Sequence, residues 1–322
     1  MPKNVLVSGA AGFVGSNFVN YALANTDWNL IAMYGSTYAD APWRLPNDSR
    51  VKVISWDLKL PLPTELTGPV DIVVNIASES HVDRSISDPV PFINNNMRLM
   101  LTMLEYARVA KPELFLQFST DEVVGPVIPG QLHKEWAPVI PSNPYAASKA
   151  AQEAMAVAYW RTYKLPLVIT RCMNIVGEAQ NREKFLPMAV SKLVSGQPVG
   201  VHAKQHEDGT WESGSRCWTP VDWVSEAVIK LAQRDPYMHQ SGAVDKPDMF
   251  NIVGEPLSNA DLVDKIAAIL GVESKITYSD YHSTRPGHDL HYGLDGSKLK
   301  QLGITSSVDF DEFLEKIVRS YL

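Results

Sequence analysis

Two groups of side chains in this sequence are equipped for chemistry. One is the run Thr120-Asp121-Glu122, and the other is Tyr145 with Lys149, spaced Y-x-x-x-K. Asn143-Pro144 ahead of Tyr145 reads as an Asn cap followed by a first-turn proline. On the helix so begun, Tyr145 and Lys149 are four apart and share a face. A tyrosine with an ordinary pKa of about 10 is a poor base at neutral pH. A nearby ammonium and the positive charge of an oxidised nicotinamide would stabilise its phenolate. Tyr145 could then accept a hydroxyl proton while hydride leaves carbon. Upstream, Gly9, Gly12 and Gly15 follow a strand-like run and offer a place for such a dinucleotide.

The carboxylates add something that plain alcohol oxidation does not need. Adjacent carboxylates in a cleft tend to split their pKa values, giving one acid and one base. Elimination of water requires that pair. The plainer alternative is that Asp121 and Glu122 cap a turn. The reading taken here is transient oxidation, loss of water and return of the hydride.

These groups need a frame. Runs rich in β-branched residues at Val5–Val7, Leu30–Met33, Val51–Ile54, Ile72–Val74, Leu114–Leu116 and Leu167–Ile169 read as strands buried on both faces. Helical patterns at Phe13–Ala24, Phe92–Ala110 and Tyr145–Tyr163 alternate with them. The alternation predicts an α/β fold, a doubly wound parallel sheet. Thr120 to Glu122 then lie at the carboxyl end of a strand, where such sheets place ligands. Beyond Arg171 the prolines crowd and the elements shorten. We expect a dinucleotide-binding domain at 1–171 and a smaller α+β, mainly substrate-binding domain at 172–322. Part of 216–235 should pack back on the first.

The loop Ser8 to Gly15 has G-x-x-G-x-x-G spacing and opens a helix. Its glycines let pyrophosphate approach the N–H groups of Gly9, Gly12, Phe13, Val14 and Gly15. An acid is expected about 20 positions on, to bind ribose, and Tyr34 stands there instead. Its absence leaves NADP open, with Ser36, Thr37 and Arg44 as the phosphate site. No Arg or Lys falls between Gly35 and Pro42, however, and a phosphate with one distant cation is poorly compensated. The expectation is NAD. Asp57, past the third strand, could accept from the adenine amino group or be a solvated loop acid.

The chain has 322 residues, 45% of them hydrophobic, which suffices for a large core. A net charge of −7 with no long basic run argues against nucleic acid as partner. Cys172 and Cys217 lack metal-ligand spacing and make a poor disulfide framework, so no metal is expected. No apolar run reaches membrane-spanning length and no signal-peptide pattern is seen. A cytoplasmic protein without membrane contact is expected.

Several stretches together resemble the extended short-chain dehydrogenase/reductases, and within them the nucleoside-diphosphate-sugar 4,6-dehydratases. They are Ala77-Ser78-Glu79-Ser80-His81-Val82-Asp83-Arg84-Ser85, Ser119 to Val123, Pro144 to Ala150, Glu183-Lys184-Phe185-Leu186-Pro187 and Arg285-Pro286-Gly287-His288-Asp289. The resemblance implies that Tyr145, tuned by Lys149, oxidises sugar C4, with Thr120 on the C4 oxygen. It implies that Glu122 removes the C5 proton and that Asp121 protonates the departing C6 hydroxyl. Leu58, Ala77 and Ser78 would join Asp57 around the cofactor. His81, Asn96, Asn174, Lys184, Arg216 and Arg285 would serve the substrate, the arginines on its diphosphate. The chain departs from the family at Tyr34, Val124, Cys217 and within Asn174 to Glu178. Those departures leave the base and sugar of the nucleotide-sugar substrate open.

Alternatives on the same scaffold are an epimerase or a dehydratase of different regiochemistry. The acidic pair argues against plain epimerisation. A non-catalytic nucleotide-sugar-binding protein is the third reading, and intact Thr120, Tyr145 and Lys149 argue against it. The two long helices match those of the superfamily's four-helix dimer interface, which implies a homodimer. Met97, Met100, Met103 and Leu104 on one helix, with Ala151, Met155 and Trp160 on the other, could supply its apolar surface or pack on the sheet.

Overall fold

The computed structural model describes all residues except 36–39, 129, 235–244 and 282–288. Seven parallel strands form the large sheet. Their spatial order is β3 (Val51–Ser55), β2 (Asn29–Tyr34), β1 (Asn4–Ser8), β4 (Ile72–Asn75), β5 (Leu114–Thr120), β6 (Leu167–Cys172) and β11 (Asp248–Ile252). Each predicted apolar run lies within one of the first six. The strand order reverses beside β1, so the first and fourth strands open a crevice at their carboxyl ends.

Helices cover both faces, as parallel strands require. On one face α1 (Phe13–Asn25) packs with α7 (Val221–Ala232) around Phe18, Val19, Trp223 and Val228. On the other, α4 (Pro89–Ala110) and α5 (Pro144–Tyr163) pack around Met100, Met103, Leu104 and Ala156. The short helices α2 (Thr64–Thr67) and α3 (Val82–Ser87) flank them.

The rest of the chain builds two small sheets. In one, β10 (Ser215–Pro220) pairs with β7 (Ile175–Val176) and β12 (Glu255–Ser258). In the other, β8 (Val199–Gln205) pairs with β9 (Trp211–Ser213) and β13 (Ile276–Asp280). Helices α6 (Phe185–Val194), α8 (Asn259–Leu270) and Phe310–Ser320 share a separate core with them. No helix among the described residues is long and apolar enough to cross a membrane.

Three expectations need correction. β3 is an edge strand with Lys52, Val53 and Ser55 exposed, so it is not buried on both faces. Asp248–Ile252, left by sequence in the substrate half, is the seventh strand of the large sheet. Met100, Met103 and Leu104 are fully buried against that sheet, so they supply no free surface for a dimer.

Candidate active site

β5 delivers Thr120 to the carboxyl edge of the sheet, and the chain turns at once into a 3-10 turn, Asp121–Val124. The Thr120 hydroxyl donates to Asp121 Oδ1 at 2.9 Å and accepts the Glu122 N–H at 3.4 Å. Asp121 is buried, and among the described residues its Oδ2 meets no hydrogen-bond partner. Burial first, and the Glu122 charge second, push its carboxyl up to about 7. Near neutral pH this carboxyl is therefore poised between its protonated and ionised forms.

Glu122 accepts from Asn143 Nδ2 at 2.9 Å, while Asn143 Oδ1 caps α5 by accepting the Ala146 N–H at 2.9 Å. Sequence reading found Asn143 only as a cap. Its amide also ties Glu122 to the helix that carries Tyr145. Ser85 Oγ accepts the Tyr145 N–H at 3.1 Å, fixing that helix start to α3.

In the chain alone Tyr145 is not yet activated. Burial, then the Glu122 charge, raise its hydroxyl well above the ordinary value, and Thr120 pulls the other way. Lys149, expected to stabilise the phenolate, is not among the groups that shift it in the chain alone. Lys149 is buried, and Nζ donates to the carbonyl of Phe118 and to Gln152 Oε1, both at 2.8 Å. Burial lowers its pKa to about 8, partly opposed by Glu153.

The residues of the glycine loop suit a dinucleotide. Gly9 has φ +69°, and a Cβ there would lie 2.9 Å from Ala77 Cα. A Cβ on Gly15 would lie 2.1 Å from the Gly9 carbonyl oxygen. Gly12 begins α1 without a side-chain cap and without an acid in the first turn. The N–H groups at Phe13, Val14 and Gly15 thus form a positive helix end suited to pyrophosphate. Ser8 Oγ donates to Asn75 at 2.6 Å and accepts the N–H groups of Ile76 and Ala77 at 3.1 Å, joining the loops after β1 and β4. Ser78 sits beside them, its hydroxyl on the Glu79 carbonyl. Asp57 is exposed, 3.9 Å from the Lys59 ammonium, and Leu58 is buried beneath it. Ser36 and Thr37 lie outside the described residues.

A cavity of about 380 Å3 adjoins this crevice and gathers His81, Glu122, Asn174, Lys184, Arg216 and Tyr292. Five of these were expected from sequence, and Tyr292 was missed. A second cleft, of about 520 Å3 between Arg44, Gln180 and Tyr321, contains none of the catalytic candidates.

Two substrate expectations change. Asn96 is fully buried; its Oδ1 accepts the Glu79 N–H, and its Nδ2 donates to the Glu79 carbonyl and to Ser148 Oγ. It therefore positions the site and cannot reach substrate. Arg216 donates to the carbonyls of Ser215, Leu290 and Asp289, each at 2.7 Å, with its guanidinium 4.5 Å over the Tyr292 ring. Burial lowers its pKa, opposed by the neighbouring Tyr292 and the acidic groups around it. Much of its fork is committed to backbone, so it presents charge to the cavity more than a free bidentate grip. Arg285 lies outside the described residues. Among the described residues no group of side chains is arranged to hold a metal.

Comparison with known proteins places this geometry. The NAD dependent epimerase/dehydratase family matches residues 5–240. The low-salt glycan biosynthesis protein Agl12 of Haloferax volcanii is 35% identical, covering 99% of this chain and 98% of that protein. The dTDP-glucose 4,6-dehydratase of Streptomyces antibioticus is 32% identical over 99% of this chain and 92% of its own. A crystal structure of the Streptomyces venezuelae dTDP-glucose 4,6-dehydratase with NAD bound superposes with TM-score 0.85 at 31% identity, covering 99% and 96% of the two chains. A UDP-N-acetylglucosamine 4-epimerase from Methanobrevibacter ruminantium superposes with TM-score 0.86 at 23% identity, covering 99% and 98%. The fold is thus common to dehydratases and epimerases, and the site must separate them. With a dinucleotide loop on β1, a Tyr–Lys pair on α5 and relatives spanning its full length, this chain is a member of the NAD-dependent epimerase/dehydratase family.

Proposed function

We propose that this protein is an NAD-dependent nucleoside-diphosphate-sugar 4,6-dehydratase, forming a 4-keto-6-deoxy sugar nucleotide. The observation that carries the reading is Asp121, buried directly beside Glu122 and so pushed up to about 7, where it can hold and give a proton. An epimerase needs no acid for a leaving hydroxyl.

When bound, NAD would supply the acceptor for the C4 hydride and afterwards its donor to C6. Gly9, Gly12 and the start of α1 would hold its pyrophosphate, with Ala77 and Ser78 alongside. Tyr145 takes the proton of the C4 hydroxyl as the C4–H bond breaks, and the Lys149 ammonium and Thr120 offset the cost of the phenolate. The C4 ketone acidifies C5, whose proton Glu122 removes, with Asn143 fixing its carboxylate. Asp121 gives its proton to the C6 oxygen as the C6–O bond breaks, and water leaves. Hydride return to C6, with Glu122 giving its proton back to C5, completes the product, and the proton taken by Tyr145 makes up for the one Asp121 gave. The overall change is loss of one water, with no net oxidation.

His81, Asn174, Lys184 and the Arg216 charge surround the cavity in which the nucleoside diphosphate would lie. The test is incubation with a panel of nucleoside-diphosphate hexoses followed by mass spectrometry of the products. Loss of one water from a substrate supports the reading, while conversion without mass change points to an epimerase. We also read the chain as a homodimer through α4 and α5, whose outer faces expose Leu101, Val109 and Tyr163. A monomeric mass at micromolar concentration would end that reading.

A further inference from the structure

Lys149 is held by a residue that the Y-x-x-x-K pattern does not include. Gln152 lies three positions on along α5 and is fully buried. Its Oε1 accepts from Lys149 Nζ at 2.8 Å, and its Nε2 donates to the Asn96 carbonyl of α4 at 2.9 Å. Both ends of the amide therefore have fixed partners of the right sense, which sets the acceptor toward the ammonium. We propose that Gln152 is a positioning residue that fixes the charge and location of the Lys149 ammonium, one turn of α5 beyond Tyr145.

The surroundings leave that task to neutral groups. The titratable neighbours facing Lys149 are Glu153 on its own helix and Cys172 on β6. Glu153 is bound bidentately by Arg171, Nε to Oε1 at 2.9 Å and Nη2 to Oε2 at 2.6 Å. Its charge is therefore largely answered by Arg171. From β5 comes the Phe118 carbonyl, and from α4 the Asn96 carbonyl through Gln152. An ammonium removed from water needs such acceptors to remain charged. With Gln152 in place Lys149 keeps its proton, and the ammonium charge stays one helical turn from Tyr145.

The inference rests on the dehydratase reading for its consequence in turnover, but its direct test does not. Titration of isotope-labelled lysines by NMR reads Lys149, its signal identified by loss in Lys149→Met. Gln152→Met keeps length and volume and removes the acceptor. It should weaken proton binding by Lys149 about tenfold or more. Gln152→Glu adds a charge and should strengthen proton binding. In a Glu122→Gln background, the pH profile of single-turnover substrate oxidation should move in the same opposite directions. A residue that only filled space would leave the Lys149 titration unmoved in Gln152→Met, and that result would overturn the proposal. If Gln152→Met does not fold, Gln152→Leu decides, since it too removes the acceptor. A Lys149 titrating below wild type supports the role, and one at wild type removes it. Failure of substrate oxidation with the NMR shifts intact would instead count against the dehydratase reading.

Discussion

Removing the Asp121 carboxyl should make the fold more stable and the enzyme inactive. In the unfolded chain this carboxyl titrates near 3.8, and in the fold at about 7, because burial and then Glu122 disfavour its charge. The folded pKa is raised, so the contribution of this group to stability is complete below its unfolded pKa. It is lost as pH rises toward the folded one. A displacement from 3.8 to about 7 is worth about 4 kcal/mol when fully developed. Between about pH 5 and about pH 8 the wild-type fold should therefore lose about 2–3 kcal/mol through this one group. Asp121→Asn has the same shape and cannot ionise, so it escapes that loss. Urea unfolding of both proteins at the two pH values, at one fixed NAD concentration, gives the comparison. The gain of Asp121→Asn over wild type should be about 2–3 kcal/mol larger at the higher pH. The same variant should lose about 10²–10⁴-fold in the elimination step. A stability difference that does not change with pH would mean that the carboxyl is not held protonated in the fold. The general-acid assignment would then fail.

The other perturbations are simpler. Glu122→Gln should still bind and oxidise substrate but stall before water loss, so reduced nicotinamide absorbance accumulates in a single turnover; an unchanged elimination rate removes Glu122 from the mechanism. Tyr145→Phe should lower turnover by about 10²–10⁴-fold with modest change in binding, and wild-type turnover would pass the deprotonation to another group. Arg171→Leu leaves Glu153 buried without its bidentate partner and should cost about 3–5 kcal/mol in urea unfolding. The double variant Arg171→Leu/Glu153→Leu should cost less than the single one, and a larger cost would refute the stranded-charge explanation.

The parts of this protein that follow from local pattern could be read from the chain. Val5 to Val7 and Ile72 to Val74 form strands because apolar β-branched runs suit a sheet covered on both faces. The same logic overreached at Val51 to Ile54, because pattern alone does not say which strand stands at the edge. It missed Asp248–Ile252 because Asp248 and Asn251 break up its apolar residues. The polar ones are buried nonetheless, with Asp248 3.5 Å from the Lys298 ammonium and Asn251 donating to the carbonyls of His133 and Asp295. Thr120, Asp121 and Glu122 were legible because they adjoin in sequence. Gln152 and Tyr292 were not, because their roles depend on partners brought in from α4 and from the Arg216 strand. Asn96 shows the converse: motif position marked it as important, and only the saturation of its amide shows that it serves the scaffold.

The central claim is that one hydride leaves C4 and returns to C6 while water is lost. A nucleoside-diphosphate hexose accepted by the enzyme, deuterated at C4, tests this in a single experiment. The account predicts a product lighter by one water that carries the deuterium on C6. Deuterium retained at C4 in a product of unchanged composition would contradict it.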